Sequence, residues 1–486
     1  MEEFKNNFKK TGGQFSLEVL ILSAVVVTLV SGFVFLSLSF TQSSVRGINK
    51  QSAFSIAEAG IEYYRWHLAH ANLDFQDGTG QPGPYTHNYY NKSGELVGQF
   101  ILDITPPPSG STVVKVRSTG KIFADSSVQK IIEAKLAIAS LAKYAVAANA
   151  AMRFGAGTEV FGEIMSNGGI RFDGLAHNFV RSAVASYTDT DFDACTTNNS
   201  WGVHTCVNPD DPTWPTALPS RPDVFMLGRE TGVPAVNFAG ITQDLADLKE
   251  VASSSGAYFP SSTFPGYELV LKTDDRYDVY RVNSLIAPPS GCTNSQNQTG
   301  WGTWTVNTST LIASGTIPAS GIFFFEHNVW VRGAINSARA TIASALFPDN
   351  ITTRTSITVN SNLRYTNYDG SDALALIAQN NINIGLQAST SLRIDAALVA
   401  QNGRVGRYYY RAPGGGSQRC SPYHTRQDIT SYGMITTNQR YGFAYTDGTG
   451  YQIRNLIYDS NLLYGPPPGF PLTGSQYEQV SWTEIQ

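Results

Sequence analysis

The pattern of apolar and polar positions divides the chain into distinct regimes. From Val19 to Val45 no residue is charged, and Val19–Leu38 (VLILSAVVVTLVSGFVFLSL) is almost continuously apolar. About 20 such residues, each rising 1.5 Å, span the hydrocarbon core of a bilayer, so this run reads as a transmembrane or equally shielded helix. Further along, Ala53, Ile56, Ala57, Gly60, Ile61, Tyr64 and Leu68 fall on one helical stripe, while Ser55, Glu58, Glu62 and Arg65 lie off it. The two segments together predict one helix from Phe15 to His70, about 84 Å long, whose second half packs on a folded domain.

Past the helix the period falls to two. Residues 72–91 are rich in Gly, Pro, Asn and Tyr and read as a loop. Val97–Ile104, Thr112–Ser118 and Ser127–Leu136 alternate, with turn signals between them, and predict a small antiparallel meander. Ala137–Ala151 is Ala-rich, a linking helix or a first buried strand. A repeat follows: Leu376–Gly385 (LIAQNNINIG) and Leu398–Gly406 (LVAQNGRVG) are offset by 22 residues, with looser relatives at Ile164–Gly174 and Phe323–Gly333. A period near 20–25 with one Asn per bend is what a coil of a parallel β-helix requires. In that reading Ile384 and Val405 point into one tube, Asn380 and Asn402 share a corner, and Asn383 faces outward. A β-sandwich of similar hairpins is the alternative.

The expected fold is therefore mainly β with a long N-terminal helix: the helix over 14–71, a meander over 72–142, and a right-handed parallel β-helix or solenoid-like head over 143–410. From about Arg411 the chain is less regular (APGGGSQ, GPPPGFP), and 411–486 is expected as a cap over the exposed end of the solenoid.

Composition adds limits. The chain has 486 residues, only 15% of them charged, with 24 Tyr, 25 Phe and 7 Trp, enough aromatic surface to exclude wholesale disorder. A net charge of −4 excludes a globally basic nucleic-acid binder. No Gly-x-Ser-x-Gly, His-Glu-x-x-His, Walker or Cys-x-x-Cys motif occurs, and no carboxylates pair by spacing, so no enzyme is expected.

The N-terminus carries the sharpest motif. Lys5, Lys9 and Lys10 precede the apolar run and favour a cytoplasmic leader with the bulk of the chain outside. Glu18 sits at the mouth of that run, where an unpaired carboxylate is costly. The segment Gly13-Gln14-Phe15-Ser16-Leu17-Glu18-Val19-Leu20 resembles the processing site of type IV prepilins, and QSAFSIAEAGIEYYRWHLAH at 51–70 resembles the matching segment of PilX-like minor pilins and pseudopilins. The resemblance implies a leader over 1–13 removed by a prepilin peptidase after Gly13, Gln14 as the methylated mature N-terminus, and Glu18 as the fifth mature residue, acting in assembly. The family's usual first residue is Phe; Gln stands here. It also implies other pilin subunits and an inner-membrane assembly platform as partners, a single membrane pass before assembly, and an extracellular filament afterwards, with the head serving adhesion or a tip role. A membrane-tethered carbohydrate-active β-helix enzyme, a filament primer and a DNA-capturing uptake pilin are the alternatives.

Four further groups of residues are candidate sites. Cys195, Cys206, Cys292 and Cys420 allow three pairings, of which Cys195–Cys206 with Cys292–Cys420 is the most local; four free thiols is the alternative. Asp189, Asp191 and Asp193 copy the first three ligand positions of a calcium loop, but Ala194 stands where its Gly belongs and Ser200 where its Glu belongs, so a solvated acidic loop is the plainer reading. Arg404, Arg407 and Arg411 flank Tyr408, Tyr409 and Tyr410, which suits an anionic ligand or single-stranded nucleic acid, beside the plainer reading of a polar loop. His67 and His70, three apart, read as solvated helix histidines rather than metal ligands.

Overall fold

The computed structural model describes residues 12–108, 111–191, 195, 198–236, 238, 241–472 and 476–485. It forms two compact units: one of Met1–Pro106, Val114–Leu136 and Gln476–Gln486, the other of Pro107–Val113 and Ala137–Ser475. The chain is mainly β with one long N-terminal helix, as its pattern predicts.

In the smaller unit, α1 (Gly12–His70) runs unbroken for 59 residues. Four strands follow, β1 (Tyr85–Tyr90), β2 (Leu96–Thr105), β3 (Val114–Ile122) and β4 (Gln129–Ala137), each antiparallel to the next. The predicted stripe is the buried one: Ala53, Ile56, Ala57, Gly60, Ile61, Tyr64 and Leu68 are all buried, beside Phe100, Leu102, Val114, Val116, Ile132 and Ala134 of the sheet. Small residues set the approach. A Cβ on Gly120 would collide with the Ala53 carbonyl and the Ala57 amide, so the sheet touches the helix backbone there. β1 lies in the stretch expected as a loop; its sequence, YTHNYY, alternates in burial but carries no aliphatic residue to announce it.

Residues 411–486 are not an irregular cap. They hold the longest parallel strand, Thr425–Thr437, a second at Gly450–Tyr458, and Glu478–Ile485, which joins the sheet of the smaller unit. In that sheet Lys130 of β4 is ion-paired with Glu484.

The larger unit is a stack of parallel strands. Leu376 pairs with Leu398 and Ile382 with Val405, so the two best repeats are neighbouring rungs. One inward position can be followed strand by strand in register: Ala257, Phe323, Ile342, Leu376, Leu398, Ile435, Val146, Ile164 and Val180, every one of them buried. Spatial order departs from chain order. Thr425–Thr437 pairs with Ser391–Ala400 on one side and with Val146–Ala148 on the other. The chain thus enters the stack in its interior, runs outward to Arg229–Thr231, resumes at Ala257–Phe259 and returns to meet its own start. Entry and exit lie together: Tyr458 Oη donates to Ala142 O at 2.6 Å, and Ser140 Oγ to Leu462 O at 2.8 Å.

Several rungs are buried on both faces. Helix α2 (Ile241–Ser255) brings Leu245, Leu248 and Ala252 against Ala343, Ala375, Ile377, Ala397 and Val399. That second covering explains why Ala373–Ala378 is buried throughout rather than alternately. Asn383 is a related correction. Ile384 and Val405 are buried in one core, but Asn383 is buried too, because Thr303 O accepts Leu386 N at 2.8 Å and brings its segment across that face; neither amide atom of Asn383 has a partner among the described residues. At the bend the asparagines bond in series. Asn438 Nδ2 donates to Asn402 O at 3.3 Å, Asn149 Nδ2 to Asn438 Oδ1 at 2.9 Å, and Asn167 Nδ2 to Asn149 Oδ1 at 2.8 Å. Asn380 O takes the Gly403 amide at 3.1 Å.

Ile435 sits where the returning chain meets the entering one. Ile435→Ala is expected to cost about 2–5 kcal/mol, whereas Ala at the exposed Gln427 of the same strand should stay within about 0.5 kcal/mol. Thermal unfolding of the full chain in detergent checks this. Equal midpoints would break the proposed register.

Candidate functional site

The outer half of α1 is covered by its sheet; the first half is not. Leu17, Leu20, Leu22, Val27, Leu29, Phe33, Phe35 and Phe40 are all more than half exposed, around the whole circumference. This helix is long and apolar enough to cross a membrane. Three of its hydroxyls are turned back onto the helix: Ser23 Oγ donates to Leu20 O at 2.9 Å, Thr28 Oγ1 to Ala24 O at 2.8 Å, and Thr41 Oγ1 to Ser37 O at 2.9 Å. The unbroken helix keeps its backbone bonds within the segment, which is the condition for a helix surrounded by apolar matter.

Glu18 projects from the first turns of this run, is exposed, and has no ion-pair partner among the described residues. Gly13 and Gln14 lie within the backbone span of α1; residues 1–11 of the expected leader are outside the described residues. At the far end, His67 Nε2 faces Asp74 Oδ2 at 3.1 Å and His70 Nδ1 faces Trp66 O at 2.8 Å, so the two histidines serve separate partners. Asp74 also accepts the amides of Gln76 and Gly78, at 2.8 and 2.7 Å, and these bonds hold its carboxyl below the usual range.

The Arg–Tyr segment does not form a ligand patch. Arg407 is fully buried, and Tyr408 and Tyr410 nearly so. The Arg407 guanidinium donates to Gly385 O, to Leu386 O at 2.9 Å and to Tyr423 O at 2.7 Å, and stacks 4.7 Å from the Tyr410 ring centre. No carboxylate among the described residues pairs with it, and burial brings its pKa down to about 10. Arg404 lies over the Tyr408 ring and donates to Arg407 O at 3.2 Å; Tyr409 donates to Asp447 at 2.7 Å. Of the six residues only Arg411 is exposed. These aromatics instead form a small core with Leu386 and the buried Cys292–Cys420 disulfide. Sequence spacing could not separate this from a surface patch, because both need arginine beside tyrosine.

The second disulfide joins Cys195 to Cys206. In the acidic loop beside it, the described aspartates are engaged by the protein itself. Asp189 Oδ1 accepts the Asp191 amide at 2.9 Å, and the Asp191 carboxylate is ion-paired with Arg440. Asp193 lies outside the described residues.

Replacing Arg407 tests its structural role. Arg407→Ala removes the largest fully buried side chain and leaves Tyr423 O without its donor, and should cost about 2–5 kcal/mol, as emptying a closed site does. Arg411→Ala should be neutral within about 0.5 kcal/mol. Denaturant unfolding of both full-length variants is the measurement; an Arg407→Ala chain as stable as wild type would contradict the assignment.

No family model matches this chain, and no curated protein matches it. Among solved structures, the competence-associated pilin ComZ from Thermus thermophilus is similar over 90% of this chain and 98% of its own, at 11% identity and a TM-score of 0.29. Too little of the two chains superposes for one to speak for the other.

Proposed function

We propose that this chain is a pilin-like subunit of a type IV filament or a related secretion filament, and that its larger unit is a non-catalytic, surface-exposed module for adhesion or for a tip or priming role. The observation that carries the reading is the division of one continuous helix: its outer half is packed on an antiparallel sheet, while its first half exposes apolar side chains all round. A surface of that size must be covered by lipid or by other apolar helices. The spacing from Gly13 to Glu18 supports the same reading and assigns the steps. A prepilin peptidase removes residues 1–13, Gln14 becomes the methylated N-terminus, and Glu18 meets the N-terminal amine of a neighbouring subunit. Inside an apolar filament core that charge pair is far stronger than in water. Before assembly the helix anchors the subunit in the membrane, where the assembly platform takes it up. A nucleic-acid role loses its best residues, because Arg407, Tyr408 and Tyr410 are buried.

Two variants separate processing from assembly. Gly13→Val should leave the leader attached, read as an intact N-terminal peptide by mass spectrometry. Glu18→Ala should be cleaved normally yet fall at least about tenfold in sheared filaments, the effect of roughly 1.4 kcal/mol at each subunit contact. Wild-type protein that keeps its leader at the surface, or a Glu18→Ala chain that assembles as well as wild type, would overturn the reading.

A further inference from the structure

Where the Cys195–Cys206 disulfide meets the acidic loop, Asp189, Cys195, His204 and Cys206 bring four metal-ligating atoms within 4.8 Å of one another. We propose that, once the Cys195–Cys206 bond is reduced, these four side chains form a tetrahedral site for zinc or a similar thiophilic divalent cation. The proposal concerns the larger unit alone and does not depend on the filament reading.

The scaffold places the ligands from independent directions. His204 ends the strand Val203–His204, which pairs in parallel with Ile170–Phe172. Cys206 follows two residues later, its amide bonded to Asp173 Oδ1 at 2.9 Å. Asp189 comes from the preceding turn, its amide held by Asn198 O at 2.8 Å. Both Asp189 and His204 are buried, so neither spends its donor atoms on solvent.

The distances fit the coordination. Zinc–nitrogen and zinc–oxygen bonds of about 2.0–2.1 Å put neighbouring tetrahedral ligands about 3.3 Å apart. His204 Nε2 and Asp189 Oδ2 are 3.2 Å apart. The other ring nitrogen of His204, Nδ1, faces Tyr187 Oη at 3.3 Å. A phenol can accept as well as donate, so the ring proton can sit on Nδ1 while Nε2 takes the metal, the outer partner that metal-bound histidines usually have. Asp189 Oδ1 is already occupied by the Asp191 amide, which leaves Oδ2 as the inward donor.

Chemistry selects the ion. Two thiolates and an imidazole suit zinc or cobalt, whereas calcium requires a shell of oxygens. Two thiolates, one carboxylate and a divalent cation leave one negative charge; the buried Arg171 guanidinium lies 3.9 Å from Asp189 Oδ2 and shares its charge between that carboxylate and Asp173, 2.7 Å away.

Metal and disulfide exclude each other. A dithiol reductant breaks the Cys195–Cys206 bond by exchange: it gives two electrons and two protons, becomes a disulfide itself, and leaves two thiols on the protein. The cation then displaces both thiol protons as the thiolates bind. The site would therefore report the redox state of its surroundings.

The test uses the full chain in detergent, reduced with a tertiary phosphine and titrated with cobalt and then zinc. Cobalt should bind at one equivalent, with the strong visible bands of a tetrahedral site and a near-ultraviolet thiolate band, and zinc should remove both. The oxidised chain should give neither. His204→Ala should weaken binding by at least about tenfold, and the Cys292→Ser, Cys420→Ser double variant should bind as wild type does. A second readout needs no variant. In the reduced wild-type chain, zinc should shield Cys195 and Cys206 from alkylation and leave the slower alkylation of the buried Cys292 and Cys420 unchanged. Absence of the thiolate band, equal binding by the oxidised chain, or shielding that does not fall on Cys195 and Cys206 would overturn the proposal.

Discussion

The pairing of Thr425–Thr437 with Val146–Ala148, continued by that of Gly450–Tyr458 with Thr158–Phe161, is the junction on which the larger unit depends. Without it the stack is two separate runs, one built from 146–231 and one from 257–458, each with an unpaired sheet edge. With it, Leu398, Ile435 and Val146 continue one apolar column, and the bonded asparagines carry the same junction at the bend. Open strand edges are a liability in any β protein, and here the chain's own return covers the two that its interior entry creates. The cost is kinetic rather than energetic. The closing strand is among the last of the chain to be made, so the pairing is of high sequence separation and should form late.

The same connectivity shapes the smaller unit. Its sheet is begun by β1 to β4 and completed by Glu478–Ile485 after the whole larger unit has been traversed. Apart from Pro107–Val113, the larger unit is thus an insertion between β4 and the C-terminal strand, and the entry and exit of that insertion are hydrogen-bonded neighbours, the arrangement under which an inserted domain leaves its host fold intact. α1 does two things within that host. Its outer half packs closely enough on the sheet that Gly120 has no room for a side chain, and its inner half has no cover among the described residues.

Much of this was legible in the residues. The stripe from Ala53 to Leu68 is a 3.6-residue pattern facing one sheet, and the repeat at Leu376 and Leu398 is a true rung spacing, because both encode local periods. The order of the rungs was not legible: Ile435 and Val146 meet with no shared period or motif to announce it. Arg407 was missed because burial of a guanidinium is decided by distant chain, here the carbonyls of Gly385, Leu386 and Tyr423. Helix α2 did leave a signal in the spacing of Leu245, Leu248 and Ala252, overshadowed by the β-rich sequence around it. The Asp189–His204 cluster draws its ligands from a turn and a strand end, and its geometry exists only after folding.

The functional account rests on what covers the first half of α1. A helix with apolar side chains around its full circumference is stable only inside lipid or among other helices, and the proposed filament supplies first one and then the other. The most direct measurement is mass spectrometry of the wild-type chain in sheared surface filaments and in membranes, prepared from the same cells. The account predicts that the sheared fraction contains the chain with Gln14 as its N-terminal residue. A chain confined to the membrane fraction with Met1 intact would contradict it.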